Sequence, residues 1–135
     1  MKTVVRALAA IALLSACSRQ TGSDMELRAK IVGTWTTADV PLPDGAKVSD
    51  IITTFAPNGA GVSRYTITRE GNSRPQTTSG IWKIECGFMI EEQTNVDGMA
   101  IDGESHRAAS MILRLNDHEM VVSNWFRPYL VFHRR

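Results

Sequence analysis

From residue 31 to residue 134 the sequence repeats one pattern, in which short runs of alternating apolar and polar residues are separated by turn residues. Such alternation is typical of β-strands that bury one face and expose the other. Links of hairpin length join the runs, and one of them is Pro57-Asn58-Gly59. The pattern therefore predicts an all-β fold, a small antiparallel up-and-down barrel or a flattened sandwich. The runs number about eight: 31–37, 48–55, 61–69, 76–86, 88–94, 109–115, 120–125 and 129–134.

One short helix is predicted ahead of the strands. Ser23 followed by Glu26 fits a capping box, and the helix should continue to about Ile31. Residues 17–23 are small and polar, which suits a flexible tether. We therefore divide the chain into residues 1–16, a signal peptide, residues 17–23, the tether, and residues 24–135, one small β domain.

The first residues carry a targeting pattern. Leu14-Ser15-Ala16-Cys17 follows an apolar run that begins at Val4, with Lys2 and Arg6 as basic residues. This stretch resembles the lipobox of bacterial lipoproteins, which implies a mature chain that begins at Cys17 and is lipidated on that cysteine. The apolar run, 4–14, is shorter than the about 20 residues that cross a bilayer as a helix. The alternative is an export signal that the general peptidase cuts elsewhere.

The same resemblance implies a location. The residue after Cys17 is Ser18 rather than the aspartate that commonly retains such proteins in the inner membrane. The expected location is therefore the cell envelope, with the lipid anchor in the outer membrane. A tether of this length reaches at most about 20 Å, so the β domain should lie close to the lipid headgroups.

Three segments resemble the lipocalins and their small bacterial relatives. Gly33-Thr34-Trp35 is similar to the Gly-x-Trp that opens the first lipocalin strand after a short helix. The segments 55–59 and 79–84 resemble later turn and strand motifs of lipocalin-like domains. The resemblance implies a barrel closed at one end by Trp35, with an arginine packed over that indole. The candidates for this arginine are Arg127, Arg134 and Arg135.

The apolar residues on the inner face of such a barrel have two interpretations: they contact a small apolar ligand, or they form a packed hydrophobic core. Trp82 and Trp125 carry the same ambiguity. We name the ligand-contact candidates as Phe55, Tyr65, Trp82, Ile84, Met111 and Leu113.

The charge balance and the cysteine content limit the kinds of partner and the thiol chemistry that we expect. The 15 Lys and Arg residues nearly balance 14 Asp and Glu, and no basic run indicates nucleic acid. If Cys17 carries lipid, Cys86 is the one thiol left. Its place in an apolar strand pattern favours an inert buried thiol over a reactive one.

Signals for catalysis are weak, and we do not expect an enzyme, a metal site or a cofactor. His106 lies near Asp102 and Glu104, a combination that could bind a metal or shuttle protons, but a solvated loop fits it better. His118 and His133 have no spacing that would form a ligand pair.

Three classes of function remain. The leading hypothesis is a membrane-anchored, lipocalin-like protein of the envelope that binds a small apolar molecule. The second is a structural or protein-interaction module that meets another envelope protein, for example as a hydrolase inhibitor. The third, an enzyme, would need His106 in a cleft.

Overall fold

A computed structural model describes residues 22–124 and 127–135. The predicted signal peptide, Cys17 and most of the tether lie outside the described residues, as does Trp125. Within the described part of the chain, no helix is long and apolar enough to span a bilayer.

The described chain forms one helix followed by ten strands. Helix α1 is Gly22–Ile31, which confirms the predicted helix and its end. A 3₁₀ turn is formed by Glu104–His106. The strands are β1 Gly33–Thr37, β2 Val40–Pro41, β3 Lys47–Phe55, β4 Ala60–Arg69, β5 Asn72–Glu85, β6 Phe88–Val96, β7 Met99–Ala100, β8 Arg107–Leu115, β9 Glu119–Asn124 and β10 Arg127–Arg134.

Eight of the strands close into an antiparallel barrel, which confirms the predicted fold class and decides between barrel and sandwich. Successive long strands pair as hairpins, and β1 pairs on one side with β10 and on the other with β3. Trp35 thus lies between Thr53 and Arg134 in the ladder. The short strands β2 and β7 pair only with β3 and β6 and lie outside the closed ring.

Helix α1 packs at one end of the barrel, which we call the closed end. Trp35 is fully buried there, and its Nε1 donates to the carbonyl of Ile31 at 2.8 Å. The guanidinium of Arg134 lies 4.1 Å from the centroid of the Trp35 ring, so Arg134 is the arginine over this indole. The core at this end comprises Ile31, Trp35, Phe55, Trp82, Ile84, Met89, Met120, Val122 and Phe132.

The start of α1 is tied to the turn between β5 and β6. Asp24 is buried, and its carboxylate accepts hydrogen bonds from the backbone N–H of Cys86, at 3.1 Å, and of Gly87, at 2.8 Å. The prediction that Cys86 is a buried strand residue is wrong. Its φ of 53° and that of Gly87, 78°, make a two-residue turn of the kind that joins twisted strands, and the thiol is only half-buried.

Candidate functional site

The barrel contains a cavity of about 410 Å³ on the side of the core away from α1. This volume lies in the range of small-molecule sites, and an eight-stranded barrel is wide enough for one small ligand. Its open end, the mouth, is covered in part by the segment around β2. The apolar wall is formed by Val40, Leu42, Val48, Ile51, Ile67, Leu130 and Phe132.

The base of the cavity is polar. Thr53, Ser63 and Thr78 lie side by side on β3, β4 and β5, because the ladders pair Thr53 with Ser63 and Ser63 with Thr78. The hydroxyls of Thr53 and Ser63 are 2.9 Å apart and hydrogen-bonded. Glu91 enters from β6, opposite Trp82. We call Thr53, Ser63, Thr78 and Glu91 the polar belt; all four also line a recess of about 30 Å³ that extends toward Trp82.

Glu91 is the unusual member of the polar belt. Burial raises the pKa of its carboxyl from 4.5 to about 7, because desolvation disfavours the charged form and no neighbouring charge offsets it. In the described residues no hydrogen bond or ion pair to this carboxylate is found, whereas the buried Asp24 receives two backbone donors. The lumen therefore holds an acid that is readily converted between its neutral and charged forms near neutral pH.

Two further titratable side chains line the cavity. Burial raises the pKa of Tyr65, although a hydrogen bond with Thr78 opposes the shift. Arg127 is the first residue of β10, at the mouth, where its backbone N–H donates to Asn124 Oδ1 at 2.9 Å. The base and the mouth of the cavity thus carry groups of opposite charge.

Of the six residues predicted to contact a ligand, one lines the main cavity. Tyr65 does so, while Phe55 and Trp82 border only the recess below it. Trp82 is chiefly a core residue, because its Nε1 donates to the carbonyl of Ala56 at 3.0 Å and its ring packs edge-on against Phe55, with centroids 5.2 Å apart. Ile84 belongs to the core and does not reach the cavity.

The other two candidates, Met111 and Leu113, face the outside of the barrel, so their predicted inward orientation is wrong. They are 49% and 45% exposed, whereas the neighbouring Ser110 is buried. The inward-facing residues of β8 are therefore shifted by one position from those that the apolar pattern predicts. Ser110 can point inward because Asn124 Nδ2 donates to its hydroxyl at 3.3 Å, a contact that the apolar pattern does not reveal.

Glu91 and Arg127 also line the cavity, although the sequence pattern does not indicate either residue as a ligand contact. Glu91 and Glu92 are consecutive, and alternation alone does not say which of two adjacent acids turns inward. The pairing of Glu91 with Trp82 decides it, since residues opposite each other in a ladder share a face. Arg127 follows two undescribed residues and gave no signal besides its candidacy as the arginine over Trp35.

The loop around His106 is an exposed turn. Asp102 accepts hydrogen bonds from Ser105 Oγ at 2.7 Å and from the backbone N–H of Glu104 at 3.1 Å, and the Ser105 bond is the main reason that the pKa of Asp102 is lowered. His106 Nδ1 lies 2.9 Å from the Asp102 carbonyl oxygen. Among residues 22–124 and 127–135 no group of three or more His, Cys, Asp or Glu side chains is placed to hold a metal ion.

In comparisons with known proteins, no family model matches this chain, and no curated protein is significantly similar to it. Function is therefore inferred from the barrel, its cavity and the sequence patterns of the chain itself.

Proposed function

We propose that this chain is a lipid-anchored protein of the bacterial envelope whose lipocalin-like barrel binds one small apolar molecule. The observation that carries the proposal is the cavity of about 410 Å³, with its apolar wall, inside a barrel whose other end is filled by core side chains. A recess of this size with a mostly apolar wall and a few polar groups at its base has the usual form of a small-molecule site.

The anchor part of the proposal comes from the lipobox-like stretch that ends at Cys17. The start of α1 is held at the closed end through Asp24, so a short tether from Cys17 would place that end nearest the membrane and leave the mouth facing away from it. Cys17→Ser should abolish incorporation of labelled palmitate. Retained label in that variant would contradict the anchor.

Ligand binding is tested with a neutral apolar dye, N-phenyl-1-naphthylamine, and the full chain in lipid nanodiscs. Ile67→Trp adds bulk to the wall of the cavity and should lower dye binding at least about fivefold relative to the wild type in the same nanodiscs. Arg64→Trp adds an indole to an exposed site on the same strand and serves as the matched control. Equal dye binding by all three proteins would contradict a ligand site in the lumen.

A second candidate function is a protein-interaction module. Phe88 and Met111 are cross-strand partners on the outer face, and Leu113 lies two residues further along β8; all three are substantially exposed. Exposed apolar groups of this kind mark interaction sites. A photo-crosslinking residue at position 111 should give one discrete adduct with an envelope protein, and the same residue at position 64 should give none. A smear or no adduct from position 111 would argue against this function.

A further inference from the structure

The chemistry of the cavity floor constrains the ligand more closely than the size of the cavity. Glu91 is the carboxyl group that the described residues place at the base of the cavity, where hydroxyl side chains and the amide of Gln93 also line it. The Glu91 side chain is partly exposed to the cavity. A purely apolar ligand would seal this carboxyl group from water without supplying a hydrogen-bond partner. A largely apolar ligand that carries one polar group at this end would supply the hydrogen-bond partner that Glu91 lacks.

The neighbours of Glu91 supply hydrogen-bond acceptors in the right place. Thr53, Ser63 and Thr78 each present a hydroxyl oxygen on the same level of the barrel, and the single hydrogen bond between Thr53 and Ser63 leaves lone pairs unused. An alkylammonium group has three N–H donors and no acceptor. The carboxyl group of Glu91 and these hydroxyls line the same recess, so together they offer hydrogen-bond acceptors to such donors.

The rest of the lumen sets the orientation of such a ligand. The apolar wall, which includes Ile51, Ile67 and Leu130, extends from the polar belt toward the mouth. Arg127, the cation that lines the cavity, stands at the mouth rather than at the base. A positive group is therefore attracted to the base and repelled at the mouth, and the reverse holds for a negative group.

We propose that the cavity selects an amphipathic alkylamine, whose ammonium group pairs with Glu91 in the polar belt while its hydrocarbon part lies along the apolar wall toward the mouth. This inference rests on the proposed function that the lumen binds a small ligand, and it names the chemical class of that ligand.

The test compares three probes that share one hydrocarbon chain, octylamine, octanol and octanoate. Binding to the full chain in nanodiscs is measured by calorimetry at about pH 8, because Glu91 is mostly ionised at that pH. Empty nanodiscs serve as the blank. Octylamine should bind at least about tenfold more tightly than octanoate and more tightly than octanol, because a charge-assisted hydrogen bond is stronger than a neutral one.

Two variants assign the preference to Glu91. Glu91→Gln should weaken octylamine binding at least about tenfold and leave octanol binding within about twofold, since the amide keeps the shape and loses the charge. Glu92→Gln changes the adjacent acid on the opposite face of the strand and should alter neither value. Unchanged octanol binding by the Glu91→Gln variant shows that this variant is folded.

The outcomes separate the inference from the function on which it rests. If octanoate or octanol binds as tightly as octylamine, or if Glu91→Gln binds octylamine normally, the amine inference is overturned and the lumen remains a ligand site. Tight octanoate binding that is lost in Arg127→Gln would assign the polar recognition to the mouth instead. If none of the three probes binds above the blank, the proposed ligand site fails and the amine inference fails with it.

Discussion

Placing a carboxyl group inside a small barrel has a thermodynamic consequence that belongs to the single residue. Glu91 has its pKa raised by desolvation to about 7, against 4.5 in an unperturbed side chain. Between these two values the folded protein holds a proton that the unfolded chain releases. Protonation therefore favours folding in this interval, and the free energy of unfolding must fall as the pH rises through it.

We predict that the free energy of unfolding decreases by about 1 to 3 kcal/mol between about pH 4.5 and about pH 8 on account of Glu91. Glu91→Gln should remove this decrease and should be more stable than the wild type by about the same amount at about pH 8. Urea unfolding at a series of pH values measures both effects. Glu92→Gln is the control, and a Glu91→Gln protein with the wild-type pH slope would contradict the assignment.

At the scale of elements, one buried side chain holds α1 against the hairpin of β5 and β6. The carboxylate of Asp24 accepts hydrogen bonds from the backbone N–H groups of Cys86 and Gly87, the two residues of that turn. Both donors are half-buried, so loss of their acceptor removes two hydrogen bonds to a charged group that water replaces only in part.

Asp24→Ala should therefore lower the free energy of unfolding by about 1 to 3 kcal/mol, measured by urea unfolding. Glu26→Gln removes the charge of an exposed acid two residues along the same helix but keeps its hydrogen-bonding capacity, and it should change stability by less than about 0.5 kcal/mol. Equal effects of the two substitutions would show that the contact with the turn contributes nothing beyond helix charge.

The approach of β5 to β6 gives a second prediction at this scale. The ladder shifts register between Ser79 and Gly80, and a Cβ on Gly80 would lie 1.9 Å from the carbonyl oxygen of Glu92. The clash would be with backbone atoms, which can move away only if the whole strand moves. The bulge therefore requires glycine at this position.

Gly80→Ala should destabilise the barrel by about 2 kcal/mol or more. Its cross-strand neighbour Gly61 is the matched control, because a Cβ there would meet its nearest atom, in the Trp82 ring, at an ordinary 3.8 Å. Gly61→Ala should be nearly neutral in thermal unfolding. Similar melting temperatures for the two variants would contradict this account of the bulge.

At the scale of the whole molecule, Arg134 joins parts of the chain that are far apart in sequence. Its guanidinium packs over Trp35 and donates to the carbonyls of Val32 at 3.1 Å, of Asp117 at 2.9 Å and of Lys30. The last residues of the chain thereby hold the end of α1, the first strand and the turn between β8 and β9 in one arrangement.

Arg134→Lys should lower the free energy of unfolding by about 1 to 3 kcal/mol, because an ammonium group cannot reproduce the planar set of donors and the stacking on the indole. Arg135→Lys should have little effect on urea unfolding, since only its backbone N–H, bonded to the Thr34 carbonyl at 2.9 Å, is seen to contribute. A neutral Arg134→Lys substitution would show that barrel closure does not depend on this contact.

Much of the fold could be predicted because its signals are local. Alternation of residue type and the turn residues between runs predicted the eight barrel strands, and the short helix ended where expected, at Ile31. The candidate site was harder to predict. Tyr65 lines the cavity as predicted, but Met111 and Leu113 face outward. The run from Ala109 to Leu115 has apolar residues on both faces, because Ile112 lies on the face opposite Met111 and Leu113, so alternation does not tell which face is inside.

Local patterns in the sequence predict an all-β chain of about eight paired strands that follow one helix, because hydrophobic period and turn chemistry are properties of neighbouring residues. The tertiary structure decided that the sheet closes, that Arg134 rather than Arg127 or Arg135 covers Trp35, and that Glu91 rather than Glu92 turns inward. These outcomes depend on the register between strands that are distant in the chain. The register determines which side chains point into the lumen, and these side chains are the ones proposed to contact the ligand.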